Sequence, residues 1–159
     1  MTARLDAAQL SAPLYRKYLA FSMATAEGSI EEGLRDLVHI RASQINGCAF
    51  CLDMHIKEAV IHGERPLRLH HLPVWRESPL FSSRERAALA WAEAVTRLGE
   101  DGVSDDAYAE ALAELTEQEI SDLTFEAVAI NGWNRLNIAF RSVPGSLDAA
   151  FGLTKAGLS

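Results

Sequence analysis

The sequence predicts a protein built entirely from α-helices. Apolar residues recur at helical spacing along most of the 159-residue chain. Three segments, beginning at Ser29, Ser82 and Thr116, have the Ser/Thr-x-x-Glu pattern of a capping box, which marks the start of a helix. Alternation of apolar and polar residues, the mark of a β-strand, is not found. We expect about six to eight helices in one compact fold.

The N-terminal part is predicted to contain an irregular lead-in and two helices. Residues 1–11 form the lead-in, and Pro13 suits the first turn of a helix that continues to about residue 25. The capping box at Ser29 is expected to begin a second helix that ends near residue 44. Residues 16–26 also resemble a signal peptide, but we interpret this segment as an amphipathic helix.

The middle of the chain is predicted to form two more helices. Asn46-Gly47 interrupts the helical pattern, and residues 48–62 read as a helix that Gly63 ends. Because the break is so short, this helix is expected to return antiparallel to the one before it. A short helix then starts at Pro66, ahead of a turn-rich connector.

The C-terminal half is predicted to contain three helices and a tail. The capping boxes at Ser82 and Thr116 begin helices that reach about residues 98 and 140. A shorter helix lies between them, capped by Ser104 or its neighbour and extending to residue 115. Gly132 lies inside the last long helix, where it predicts a close helix crossing.

Composition excludes several classes of function. The net charge of −7, with no run of Lys or Arg, argues against partners such as nucleic acid and anionic membranes. No apolar stretch is long enough to span a membrane. Only two cysteines occur, and they stand too close together to link distant parts of the chain. This cysteine usage is typical of thiol chemistry in a reducing compartment, so we expect a cytoplasmic protein.

The two cysteines and a histidine carry the chemistry. Cys48, Cys51 and His55 lie on one face of the predicted helix, because spacings of three, four and seven residues are close to one, one and two helical turns. Thiols in the first turn of a helix experience the positive end of its dipole, which favours the thiolate. An imidazole on the same face can accept or return a proton. These features satisfy the requirements of a redox dithiol.

Two other interpretations of the CxxC segment remain open. Cys and His are both zinc ligands, and a zinc site would need a fourth ligand, for which His39 on the preceding helix is a candidate. Alternatively, the cysteines are two small buried apolar residues and the histidine is solvated.

The residues also resemble a known family. Residues 36–55, which include Gln-Ile-Asn-Gly-Cys-Ala-Phe-Cys, closely resemble the core of the carboxymuconolactone decarboxylase superfamily in its AhpD-like alkylhydroperoxidase branch. The resemblance continues through residues 75–81, 84–91 and 131–137. It covers residues 30–141 of what we expect to be one domain, residues 1–159.

This resemblance implies a helical homotrimer or homohexamer that reduces organic hydroperoxides with its thiol pair. An external dithiol or thiol reductase would restore the thiols, and neither a metal nor an organic cofactor is expected. Cys48 and Cys51 match the family's redox cysteines and His55 matches the histidine of its proton relay. Asp36 occupies the position of the relay carboxylate, usually Glu, and Phe50 replaces a histidine found in the best-studied peroxidases of the branch.

Alternatives remain both for the roles of the two cysteines and for the activity of the protein. Helical phase relative to His55 assigns peroxide attack to Cys51 and resolution to Cys48, whereas nearness to the helix end favours the reverse. A non-enzymatic protein that senses oxidants or exchanges disulfides would need the same thiol pair. A carboxymuconolactone decarboxylase-like lyase matches less well, because that branch does not require the CxxC.

Overall fold

The computed structural model describes residues 2–158 and confirms the all-α prediction. Seven helices of more than one turn agree with the expected six to eight, and two one-turn helices and two 3-10 segments add to them within the described residues. The helices are α1 (Ala7–Leu10), α2 (Ala12–Thr25), α3 (Glu32–Asn46), α4 (Ala49–Ile61), α5 (Pro66–His71), α6 (Ser83–Thr96), α7 (Asp105–Leu112), α8 (Glu117–Phe140) and α9 (Asp148–Phe151). The 3-10 segments are Leu72–Val74 and Leu153–Ala156.

Helix α3 is the centre of the molecule. It packs against α4, α6 and α8, so that apolar residues are buried on more than one of its sides. Leu34 and Val38 contact the apolar core formed with α6 and α8, whereas Leu37 and Ile40 contact a second core toward α5 and α6. Two polar residues of helix α3, Asp36 and Ser43, are therefore buried between packed helices.

Two of the three predicted capping boxes are confirmed, and the first is wrong. The boxes at Ser82 and Thr116 form both of their reciprocal hydrogen bonds. Ser29 instead donates from its backbone N–H and its hydroxyl to Oδ2 of Asp122, at 2.8 and 2.7 Å, and α3 begins after Glu31. The long-range carboxylate on α8 therefore replaces the local cap.

Two helix boundaries also differ from the prediction. The lead-in contains the one-turn helix α1, where the Asp6 carboxylate accepts a hydrogen bond from the backbone of Gln9. Helix α7 ends at Leu112 instead of continuing to residue 115. The chain turns there because Leu115 enters the core beside Ile120.

The predicted close crossing at Gly132 is confirmed. Helix α2 lies across α8, and a Cβ built on Gly132 would lie only 1.9 Å from the hydroxyl oxygen of Tyr18. That hydroxyl donates to the backbone carbonyl of Ala129 at 2.8 Å. Helix α2 includes most of the segment that resembles a signal peptide. None of the helices in residues 2–158 is both long and apolar enough to pass through a bilayer.

Candidate thiol redox site

The two cysteines lie where the turn after α3 enters α4. Gly47 adopts a left-handed conformation, with φ of 68°, and thereby ends α3. Cys48 is the N-cap residue of α4, and its sulfur accepts a hydrogen bond from the backbone N–H of Cys51 at 3.4 Å. Both cysteines are free thiols, and only 2% of Cys48 and 0% of Cys51 is exposed.

The surroundings make the two thiols unequal acids. The pKa of Cys48 is lowered to about 7, mainly because the Cys51 thiol donates a hydrogen bond to it. Backbone N–H groups and Asn134 lower this pKa further, and together these hydrogen bonds outweigh burial, which raises it. The same interaction with Cys48, together with burial, raises the pKa of Cys51 well above its usual range. Cys48 is therefore the sulfur that carries the negative charge first, as expected for a thiolate at the N-terminus of a helix.

Helix α8 provides amide groups beside the sulfurs. Nδ2 of Asn137 donates a hydrogen bond to Sγ of Cys51 at 3.4 Å. Asn134 is fully buried, donates to the Ser43 hydroxyl at 3.0 Å and accepts from Asn46 at 2.8 Å. The amides thus form a polar wall on one side of the thiol pair.

Apolar side chains surround the rest of the thiol pair. Phe50 and Ile130 are buried with the two sulfurs, and Met54, Trp133 and Leu147 pack against this group. Such an enclosure favours apolar molecules over charged ones near the sulfurs.

His55 takes its carboxylate partner from its own helix. Its Nδ1 donates to Oε2 of Glu58 at 2.6 Å, and the imidazole is almost completely buried. Burial alone would raise the pKa of Glu58. The hydrogen bond and the charge of His55 outweigh that effect and lower the pKa of Glu58 below its usual value. The Glu58 carboxylate therefore fixes the orientation of the imidazole by holding Nδ1.

Asp36 has a different partner from the one expected. Its Oδ2 accepts a hydrogen bond from Nδ1 of His62 at 2.7 Å, whereas His55 is held by Glu58. Burial raises the pKa of Asp36, and Asp36 raises the pKa of His62 despite the opposing effect of burial. Asp36 and His62 line an open polar cleft of about 450 Å³. The carboxylate that the sequence proposed for His55 thus faces this cleft instead.

His39 connects the histidines to α8. Its ring lies 4.7 Å, centroid to centroid, from that of His55, and its Nε2 donates to Oε2 of Glu126 at 2.9 Å. Burial lowers the pKa of His39. The other carboxylate oxygen of Glu126 is buried without a hydrogen-bond partner. Among residues 2–158, no three or more His, Cys, Asp or Glu side chains converge as metal ligands would.

Comparison with known proteins identifies the family. Residues 12–94 match the model of the Carboxymuconolactone decarboxylase family. The chain belongs to this family. It is also similar to YdfG, an uncharacterized protein of Bacillus subtilis strain 168, with 39% identity over 115 residues that cover 72% of the chain and 78% of YdfG. The uncharacterized YnjA of Escherichia coli K12 is 32% identical over 109 residues, which cover 69% of the chain and 57% of YnjA.

Solved structures place this carboxymuconolactone decarboxylase family member in the AhpD-like branch. ATU0492 from Agrobacterium tumefaciens, a protein of unknown function whose name proposes an AhpD role in antioxidant defence, matches with a TM-score of 0.86 and 38% identity. The match covers 90% of this chain and 98% of that one. The debrominase Bmp8 shares the fold at a TM-score of 0.77 and 18% identity, covering 93% and 79% of the two chains.

Within this family framework, the structure reveals two site residues that the sequence pattern did not identify. Glu58 lies three residues after His55, so helical spacing alone would have nominated it as a partner. Asn137 comes from a helix remote in sequence, and only its three-residue spacing from Asn134 hinted that both face the same side. The structure brings Cys48, Cys51 and Asn137 together, and it separately pairs His55 with Glu58 and Asp36 with His62.

Proposed function

We propose that this family member is a thiol-dependent peroxidase that reduces organic hydroperoxides with Cys48 and Cys51. The observation that carries the proposal is a Cys48 thiol with a pKa of about 7 next to a second free thiol at the start of α4. A thiolate is the nucleophilic form of cysteine, and a neighbouring thiol can resolve its oxidised form. The name of the similar protein ATU0492 supports the same class of activity.

The reaction would proceed in three balanced steps. The Cys48 thiolate attacks the terminal peroxide oxygen, the O–O bond breaks, and the alkoxide takes a proton to leave as an alcohol. Cys51, deprotonated, then attacks the sulfur of the Cys48 sulfenic acid, and water leaves as the disulfide forms. An external dithiol finally reduces the disulfide by exchange. Peroxide gains two electrons, and the dithiol supplies them.

His55 would manage the protons, with help from two carboxylates. The hydrogen bond to Glu58 fixes the imidazole, so that Nε2 can give a proton to the alkoxide and take one from Cys51. Asp36 and His62 line the open cleft, and we place them at the outer end of the relay, where protons exchange with solvent. Asp36 thereby keeps the relay role that its sequence position implies, through a different partner.

The setting of the proposed enzyme follows from its chemistry. A reducible thiol pair needs a compartment that supplies dithiols, so we place the protein in the cytoplasm with a thiol reductase as partner. The apolar side chains around the sulfurs suit the organic part of a hydroperoxide. The active form is proposed to be a homotrimer or homohexamer.

Turnover by cysteine variants tests the proposal. With cumene hydroperoxide and excess dithiol, wild-type protein should consume peroxide continuously, and Cys48→Ser should abolish the reaction. Cys51→Ser should turn over much more slowly, because the external dithiol must then reduce the Cys48 sulfenic acid itself. The matched control is Met23→Leu, at an exposed methionine of α2 outside the thiol site, which should leave turnover unchanged. Turnover that survives Cys48→Ser would refute the proposal, and a single stoichiometric oxidation in wild type would favour an oxidant sensor.

A further inference from the structure

Three asparagines on α8 form a ladder that leads to the thiol pair. Asn131, Asn134 and Asn137 are spaced three residues apart, so their side chains lie on the same side of successive turns. Asn131 donates to the Thr96 hydroxyl and to the Ala127 carbonyl, at 2.9 and 2.7 Å. The first two asparagines are buried and tied to neighbouring helices, which fixes the position of α8 relative to the sulfurs.

Asn137, the last member of the ladder, directs its amide donors toward the site. Its Nδ2 donates to the Trp133 carbonyl at 2.9 Å and to Sγ of Cys51 at 3.4 Å. The amide carries two N–H groups, and these two acceptors use both of them. The backbone contact therefore orients the amide so that its second N–H, rather than its carbonyl oxygen, faces the cysteine sulfur.

The hydrogen bonds define a directed chain through the two thiols. Asn137 donates to the Cys51 sulfur, and the Cys51 thiol in turn hydrogen-bonds Cys48, which lowers the pKa of Cys48. Once Cys48 is oxidised, Cys51 has to lose its own proton and attack. At that moment the amide of Asn137 is a fixed donor on the sulfur that becomes negative. Hydrogen bonds to charged groups stabilise more than neutral ones.

We propose that Asn137 is a catalytic residue of the second step, where its N–H stabilises the Cys51 thiolate that closes the disulfide. This inference rests on the proposed redox role of the thiol pair, and it adds the residue that activates the resolving sulfur. In the step concerned, Cys51 gives up its proton, its sulfur bonds to the Cys48 sulfur, and the sulfenic oxygen leaves as water. Asn137 neither gains nor loses atoms.

Asn137→Leu removes the donor while keeping the side-chain shape. Peroxide attack on Cys48 should keep its wild-type rate, whereas disulfide closure should slow about tenfold, the effect of losing one charge-assisted hydrogen bond. The Cys48 sulfenic acid should then persist long enough to be trapped by dimedone and counted by intact mass. Asn137→Gln, which retains an amide, should recover part of the closure rate. Ile138→Leu, an exposed neighbour on α8, is the matched control.

The outcome is separable from that of the peroxidase proposal. Diamide forms an adduct with the Cys48 thiolate, and Cys51 displaces the hydrazine from that sulfur, so closure by the same attacking sulfur is measured without peroxide. Suppose that the wild-type protein does not react with peroxide but forms the disulfide from the diamide adduct about tenfold faster than Asn137→Leu does. That result would support the role of Asn137 and contradict the peroxidase proposal. The role of Asn137 would be overturned if Asn137→Leu formed the disulfide at the wild-type rate, or if Asn137→Gln were as slow as Asn137→Leu. Should Asn137→Leu fail to fold, Asn137→Ser gives the same comparison.

Discussion

At the residue scale, the environment of the site gives its two cysteine side chains different pKa values. Cys48 gains stabilisation of its anion from the Cys51 thiol and from backbone N–H groups at the start of α4. Cys51 is buried next to that anion, and its pKa is raised. A helix N-terminus alone would favour both thiolates. The mutual hydrogen bond favours the thiolate at Cys48 and keeps Cys51 protonated.

The first prediction concerns the titration of Cys48. The ultraviolet absorbance of the thiolate should rise with a midpoint near pH 7 in wild-type protein, because the pKa of Cys48 is about 7. Cys51→Ala removes the largest stabilising contact, so the midpoint should move upward by about one unit, toward the ordinary cysteine value. Phe50→Leu, which alters the apolar wall but no hydrogen-bonding side chain, serves as the control. A wild-type midpoint above pH 8 would contradict the assignment.

The second prediction compares the two carboxylates. Glu58→Gln should lower kcat/KM for an organic hydroperoxide by about 10- to 100-fold, because His55 loses the carboxylate that holds it. Asp36→Asn should cost less, about threefold to tenfold, because Asp36 is hydrogen-bonded to His62 and not to His55. Both rates are to be measured across a range of pH. The opposite order would show that Asp36, the position matched to the family's relay, is the functional partner of His55.

Residue spacing explains which parts of the site could be predicted. Cys48, Cys51 and His55 belong to one helix, so their common face follows from the period of the helix. Asp36 and His62 lie on different helices, and their pairing depends on the packing of α3 against α4, which local patterns do not encode. The contact of Asn137 with Cys51 has the same origin in tertiary structure.

At the element scale, helix starts were predicted best where the cap is local. The boxes at Ser82 and Thr116 use only side chains within the same turn, and both form. Ser29 has the same pattern, yet it bonds Asp122 on α8, 93 residues away. The Ser29 side chain can hydrogen-bond either a local partner or a carboxylate remote in sequence. Which of the two it bonds depends on the tertiary structure.

The crossing of α2 and α8 supplies the third prediction. Gly132→Ala should destabilise the fold by about 1–3 kcal/mol, because overpacking against Tyr18 outweighs the better helix propensity of alanine. Gly33→Ala is the matched control, since a Cβ at that exposed helical glycine meets nothing within 4 Å. The control should gain up to about 1 kcal/mol. Chemical denaturation measures both, and equal effects would contradict the close crossing.

At the scale of the whole molecule, the face formed by α1, α2 and α8 carries several exposed apolar side chains. Helices α1, α2 and α8 border an apolar groove of about 590 Å³. Large apolar side chains on these helices are exposed to solvent: Leu10, Leu14, Met23, Phe125, Val128 and Ile138. Exposed apolar side chains around a groove are typical of subunit interfaces.

The fourth prediction is that copies of this chain associate through that face. Sedimentation velocity should give a homotrimer or homohexamer for wild-type protein, and Leu14→Glu, at a side chain 71% exposed, should dissociate it. Leu98→Glu is the control, because Leu98 is 65% exposed and lies in the loop after α6, away from the groove. A monomeric wild type, or equal effects of the two substitutions, would contradict the prediction.

The central claim is tested most directly by titrating the reduced, metal-free protein with an organic hydroperoxide while following free thiols and intact mass. One equivalent of peroxide should remove both thiols of each chain and reduce its mass by two hydrogens, with the disulfide joining Cys48 and Cys51. Added dithiol should restore both. Thiols that remain intact under excess peroxide would contradict the peroxidase proposal.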